Sequence, residues 1–140
     1  MQKFGFFRKI GAIPINRNNP RSALTTLQEA SGFLGYPGRA LYFYPQGKMT
    51  HECDPIRFEG GLSRLSTMVP DCDFVPIAVS VTTIRTDKPE LFIRIGEPVD
   101  IYHQLSKAER TVIYQNRVTS LLRKNQTACR DGPDGYSRIV

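Results

Sequence analysis

The residues best suited to bind a ligand follow a short aromatic run in the first third of the chain. The run at residues 42–44, Tyr-Phe-Tyr, predicts a buried strand, and Pro45 ends it because proline cannot donate to a sheet ladder. In the loop that follows, Gly47 allows a ligand to come close to the backbone or the chain to adopt a positive φ. Lys48 and Thr50 supply a cation and a hydroxyl. These residues suit an anionic or oxygen-rich ligand at a strand end, although an ordinary turn contains the same types.

A second candidate for ligand binding is Arg17, which comes directly before a predicted helix. It follows residues 12–15, Ala-Ile-Pro-Ile, which predict a short edge strand. The planar guanidinium at such a position can hold a phosphate or carboxylate with two hydrogen bonds. A solvated loop arginine is the alternative interpretation of this residue.

The cysteines and histidines do not form a metal or disulfide pattern. Cys53, Cys72 and Cys129 are odd in number and widely spaced, so neither a disulfide framework nor a structural zinc site is expected. The sequence His-Glu-Cys-Asp at 51–54 contains side chains that can ligate metals, but adjacent residues rarely converge on one ion. We therefore expect no metal and no prosthetic group.

Helices and strands that could position these residues are marked by local signals. Asn19 followed by Pro20 is a helix start, and apolar residues at three- and four-residue spacing predict a helix over 20–34. Gly60 and Gly61 precede a second, short helix. Residues 74–81 and 91–95 predict the two strands of a hairpin, the first one in a sheet interior.

A last helix completes the predicted architecture. Ser106 and Glu109 form a capping box that starts this helix, which is expected to reach about Lys124. The order of strands and helices predicts an α/β fold, a single domain with a mixed β-sheet flanked by helices. The domain is expected over residues 1–125, and the turn-rich residues 126–140 are expected to be a flexible C-terminal tail.

The charge of the chain favours anionic partners. Its 140 residues carry 19 Lys and Arg against 13 Asp and Glu, a net charge of +6. Nucleic acid, anionic lipid surfaces and phosphorylated small molecules all remain open on this ground. No window is long and apolar enough for a membrane-spanning helix, and no secretory signal is evident. Aromatic and basic residues in the first ten positions predict either a peripheral membrane contact of a cytoplasmic protein or a short helix that faces the core.

Four short blocks, in this order and spacing, resemble the glycerolipid acyltransferases of the lysophosphatidic acid (1-acylglycerol-3-phosphate) acyltransferase type. The blocks are residues 11–17 (GAIPINR), 44–47 (YPQG), 58–61 (FEGG) and 75–77 (VPI). The resemblance, which covers about residues 4–101, implies that Arg17 lies near the acceptor's phosphate and that Pro45, Gln46 and Gly47 form part of the acceptor pocket. It also implies a role in phospholipid biosynthesis, with acyl-CoA or acyl carrier protein as the donor and a lipid as the acceptor.

The chain departs from the family pattern in three places. The family's catalytic histidine and aspartate, five positions apart, precede the block that ends in Arg17, and the sequence contains no such pair. A glutamate of the family's second block is Gln46 here, and an arginine two residues after the glycine is Met49. These changes leave a phosphate-free hydroxylated acceptor as an alternative, with Lys48 as the cation that would contact an anion.

Three interpretations follow for the activity. The first is an N-terminally truncated family member whose catalytic histidine and aspartate lie upstream, so that the chain is an acyltransferase domain that can be inactive as this fragment. In the second, His51, oriented by Asp54 or Glu52, substitutes as the general base on the acceptor hydroxyl. The third is a non-catalytic basic module that binds anionic lipid or single-stranded nucleic acid. No nucleic-acid motif is present, and the aromatic run at 42–44 is expected to be buried, so nucleic acid is not favoured.

Overall fold

The computed structural model describes residues 6, 9–48, 54–83, 88–100 and 104–137. Within them the chain forms three helices and a two-stranded sheet. In chain order these are α1 (Pro20–Leu34), α2 (Gly61–Met68), β1 (Ile77–Thr82), β2 (Glu90–Ile95) and α3 (Lys107–Asp131). The predicted combination of helices and a sheet in one small α/β domain is confirmed.

Helix α1 has the predicted bounds because its end signals are local. The Asn19 side chain accepts a hydrogen bond from Ser22 N at 3.1 Å, and Pro20 occupies the first turn, where no amide donor is needed. The helix ends before Gly35. Its predicted apolar face points inward, with Leu27 and Ala30 buried.

The first hydrophobic core lies between α1 and α2. Its buried members are Leu27, Ala30, Leu65 and Val69. Six partly buried side chains pack around them: Leu34, Leu41, Phe43, Met68, Cys72 and Phe74. This core therefore joins the two helices to the aromatic run at 42–44, through Phe43.

The sheet is an antiparallel hairpin of β1 and β2, with Val79 opposite Ile93 in the register. The predicted hairpin is confirmed, and β1 begins directly after Pro76. The described residues form no mixed sheet, however, because residues 12–15 and 42–44 do not pair as strands. Helix α3 packs on both strands.

One face of the hairpin differs from the expectation of a sheet interior. The face toward α3 buries Ala78, Ser80 and Phe92. The opposite face is apolar and exposed; its side chains are Ile77, Val79, Val81, Leu91, Ile93 and Ile95. The expectation of a strand that is apolar on both faces is therefore wrong, because the face toward α3 also carries the buried polar side chains of Ser80 and Thr82. Among the described residues, only this face is covered.

Helix α3 starts as predicted but ends later. Ser106 N donates to Glu109 Oε2 at 2.8 Å and Glu109 N donates to Ser106 Oγ at 3.3 Å, which completes the capping box. Hydrogen bonds to its carboxylate from the Ser106 hydroxyl and, to a smaller extent, from the Ser106 backbone N–H lower the pKa of Glu109, since the ionised carboxylate is the better acceptor. The helix continues to Asp131, beyond the predicted end near Lys124.

The second core explains why the helix continues. Ala128 and Cys129 are buried with Phe92 of β2, and Tyr136 packs against this group. Residues 126–131 therefore belong to the helix, and the expectation of a flexible tail from residue 126 is wrong for them. The buried Asn125 connects the same helix to the hairpin, donating to the carbonyl oxygens of Ala78 and Phe92, each at 3.2 Å.

No helix among the described residues is long and apolar enough to cross a membrane.

Candidate functional site

The loop after the aromatic run forms a tight turn but does not follow a strand. Gly47 N donates to Tyr44 O at 3.1 Å, and Gly47 adopts φ +62°, a conformation that favours glycine. Phe43 points toward the first core, whereas Tyr42 and Tyr44 are 78% and 85% exposed. The prediction of a buried strand at 42–44 is therefore wrong, because an extended segment without a pairing partner buries only alternate side chains.

Arg17 lies directly against this turn. An added Cβ on Gly47 would be 3.0 Å from Arg17 Cδ and 3.4 Å from both Nε and Nη1. The missing side chain of Gly47 thus provides the space that the guanidinium occupies. Although the two residues are thirty positions apart in the sequence, the structure brings Arg17 together with the turn that contains Gln46, as the resemblance implies.

Glu59 joins the same group of residues. Its backbone N–H donates to Pro45 O at 2.8 Å, which ties the third block to the second. Its carboxylate Oε1 lies 4.0 Å from Arg17 Nη1, with the two side chains 65% and 46% exposed. An ion pair of this length and exposure adds little stability.

An open groove of about 1640 Å³ runs past these residues. Its charged side chains are Arg17, Arg21, Glu59, Arg64 and Lys107. Its apolar lining includes Ile13, Ile15, Leu24, Phe33, Leu41 and Phe43. A smaller depression of about 390 Å³ is formed by residues 44–48 and includes Gln46 and Lys48. A groove with both kinds of lining suits an amphipathic ligand with an anionic polar group.

Three groove residues were not singled out from the sequence. Glu59 and Arg64 belong to the segment around the paired glycines, and Lys107 is the first residue of α3. The Lys107 side chain occupies the space beside Gly60, and Phe43 Cζ would be 3.4 Å from a Cβ on Gly61. The paired glycines indicated close packing, but no sequence signal identified the partners of that packing.

The remaining predicted site residues are placed as follows. Asp54 is exposed, and His51, Glu52, Met49 and Thr50 lie outside the described residues. Across the described ranges there is no group of three or more His, Cys, Asp and Glu side chains arranged to hold a metal ion.

Replacing Gly47 with alanine tests whether the turn holds Arg17. The positive φ is expected to cost about 1–2 kcal/mol of unfolding free energy in urea unfolding followed by circular dichroism. Because the new Cβ contacts Arg17, the NMR signal of the Arg17 Nε–H group is also expected to shift.

Gly38→Ala is the matched control, since Gly38 has φ +74° and no atom within 4 Å of a Cβ. This variant is expected to lose similar stability without moving the Arg17 signal. Equal NMR spectra for the Arg17 side chain in both variants would show that the guanidinium does not depend on Gly47.

Comparison with known proteins assigns the family. Residues 3–80, more than half of the 140-residue chain, match the model of the family described as Acyltransferase. The matched segment contains Arg17, the turn at Gly47, Glu59 and Gly60, while Lys107 lies beyond it. Neither the curated proteins nor the solved structures gave a match. The resemblance found in the sequence is thus confirmed at the level of the family, and this chain belongs to the acyltransferase family, whose members transfer acyl groups.

Proposed function

We propose that the groove binds the polar end of a lysoglycerolipid or related hydroxylated acceptor, which receives an acyl group from an acyl thioester. The observation that carries the proposal is the contact of Arg17 with the Gly47 turn, with Glu59 bonded to the same turn. Three separate blocks of the sequence thereby hold the Arg17 guanidinium at the wall of a groove with both charged and apolar lining. The cation would bind the head group, and the apolar lining would contact the acyl chain.

In the transfer, the acceptor hydroxyl oxygen attacks the carbonyl carbon of the thioester. The C–S bond then breaks, the thiol leaves, and the hydroxyl proton passes to a general base. Arg17 and Lys48 would bind the head group and Gln46 would orient it. Gly47, which has no side chain, would let the backbone come close to the same group. No histidine lies among the described groove residues, so His51 with Asp54 stays a proposal for the base within this chain.

The donor would be acyl-CoA or an acyl carrier protein thioester, by analogy with the family resemblance. The exposed side chains of Phe6 and Ile10 support a peripheral contact with the membrane that holds the acceptor. Both residues lie before the groove-lining Arg17 in the sequence, and Ile10 itself lines the groove.

Arg17→Ala tests acceptor binding. The affinity for 1-acylglycerol 3-phosphate, measured by equilibrium dialysis below its micellar concentration, is expected to fall roughly tenfold, because a charge-assisted hydrogen bond is lost. Arg123→Ala is the control, since Arg123 is exposed on α3 and does not line the groove. Equal affinities of the wild type and Arg17→Ala would contradict the proposal.

A second candidate is the binding of single-stranded nucleic acid, which one observation favours. Tyr42 and Tyr44 are exposed and line the same groove as the cations, contrary to the expected burial. Exposed aromatic rings beside cations can stack on bases. Retention of a single-stranded oligonucleotide on filters at low salt, lost in Arg17→Ala, would favour this candidate over the lipid acceptor.

A further inference from the structure

Lys107 reaches the groove from outside the segment that matches the family. It is the first residue of α3, and its side chain lines the groove together with Arg17 and Arg64. Its ammonium Nζ lies 2.9 Å from the position that a Cβ on Gly60 would occupy. The ammonium therefore lies in the space that the absence of a side chain at Gly60 leaves open.

The position of Lys107 is fixed by the helix that carries it. Thr111 and Gln115 follow Lys107 at four-residue intervals, so all three side chains lie on one face of α3. Gln115 Oε1 accepts a hydrogen bond from Phe58 N at 3.0 Å. Thr111 Oγ1 lies 2.6 Å from the buried Ser63 Oγ.

These contacts attach α3 to the segment that includes both glycines. Phe58 and Ser63 flank Gly60 and Gly61 in the sequence. Their partners on α3 lie in the two turns that follow Lys107, so the two hydrogen bonds hold the start of the helix against the glycine segment. Lys107 therefore reaches the groove wall from a helix that is packed on the glycine segment, and its side chain is exposed.

We infer that Lys107 is a further cationic ligand for the anionic head group of the acceptor, acting with Arg17 and Lys48. This inference rests on the proposed function of the groove. In the second block, Gln46 stands where the resemblance implies a glutamate. Met49 stands where it implies an arginine, so a cation of the family pattern is missing there. Lys107 supplies a cation from a different element. The charged lining of the groove, four cations with the single carboxylate of Glu59, is net positive and suits a dianionic group.

Gly60 provides a test that does not change the charge of the protein. Its φ of −70° and ψ of 6° are accessible to alanine, so Gly60→Ala introduces no backbone strain. The new Cβ would meet only the flexible end of the Lys107 side chain and would displace the ammonium. Gly60→Ala and Lys107→Met should therefore have the same effect on ligand binding.

The experiment measures the affinity for 1-acylglycerol 3-phosphate and for the matching monoacylglycerol, which lacks the phosphate. Each single variant is expected to weaken binding of the phosphate-bearing lipid about fivefold and to leave the neutral lipid unchanged. The double variant is expected to bind within about twofold of either single variant, because both remove the same interaction. Lys124→Met, on an exposed part of α3, is the charge-matched control.

The outcomes separate this inference from the proposed function. If Arg17→Ala weakens binding of the phosphate-bearing lipid while Lys107→Met and Gly60→Ala do not, Lys107 is not a ligand and the acceptor site still stands. If none of the three variants changes the affinity, both proposals fail. If the double variant lost as much affinity as the two single variants together, Gly60→Ala would act through a residue other than Lys107. Urea midpoints within error of the wild type would confirm that the variants are folded.

Discussion

Replacing Leu65 with alanine is expected to lower the free energy of unfolding by about 2–5 kcal/mol, one of the two largest effects predicted for this chain. Leu65 is 1% exposed and belongs to the core that joins α1 to α2. Truncation removes its buried methyl groups and leaves a cavity between two helices that cannot fully collapse. The measurement is urea unfolding of the whole chain followed by far-ultraviolet circular dichroism.

The same variant is expected to affect the groove, because Phe43 packs on this core and lies beside Gly61. Leu91→Ala is the matched control, since Leu91 is 60% exposed on the open face of the hairpin. That change is expected to cost less than about 1 kcal/mol. Similar losses for the two variants would mean that the core between α1 and α2 does not determine the stability of the fold.

Local signals in the sequence predicted where the helices α1 and α3 begin. The Asn19-Pro20 pair and the Ser106/Glu109 box act through hydrogen bonds within one helical turn, so their residue types and spacing contain all the necessary information. The end of α3 depended on distant partners. Its last turn is buried against β2 through Ala128 and Cys129, and such contacts are not evident in a turn-rich stretch of sequence.

The aromatic run at 42–44 shows the limit of composition as a guide to strands. Tyr-Phe-Tyr has a high strand propensity, but propensity reflects packing on a paired surface and does not provide the pairing partner. The described residues offer this segment no neighbouring strand, and only Phe43 finds a hydrophobic core. Tyr42 and Tyr44, on either side of it, are exposed and line the groove.

The candidate site was predictable only in part. The order of the blocks placed Arg17 near the turn at Gly47, and the structure brings them into contact. Lys107 was not predicted, since it lies 47 positions after Gly60 and starts a helix for reasons unrelated to the groove. Its position at the groove follows from the packing of α3 on the segment of the paired glycines, which is a property of the fold.

Asn125→Leu is expected to lower the free energy of unfolding by about 2–4 kcal/mol, because leucine, similar in shape, cannot hydrogen-bond and leaves the buried partners of the amide unsatisfied. Asn125 is fully buried, and its Nδ2 donates to the carbonyl oxygens of Ala78 and Phe92 in the two strands. Its Oδ1 accepts a short hydrogen bond from the Tyr136 hydroxyl. One amide group thus connects β1, β2 and the residues after α3, and urea unfolding measures its contribution.

Two controls distinguish the buried network from a general effect of leucine on the helix. Asn116→Leu makes the same change at an exposed position of α3 and is expected to stay within about 0.5 kcal/mol of the wild type. Tyr136→Phe removes only the hydroxyl and is expected to cost about 1 kcal/mol, since Asn125 keeps its bonds to both strands. If Asn125→Leu were no more destabilising than Asn116→Leu, the attachment of α3 to the hairpin would rest on apolar packing alone. The hydrogen bonds of Asn125 would then contribute no net stability to the helix that carries Lys107.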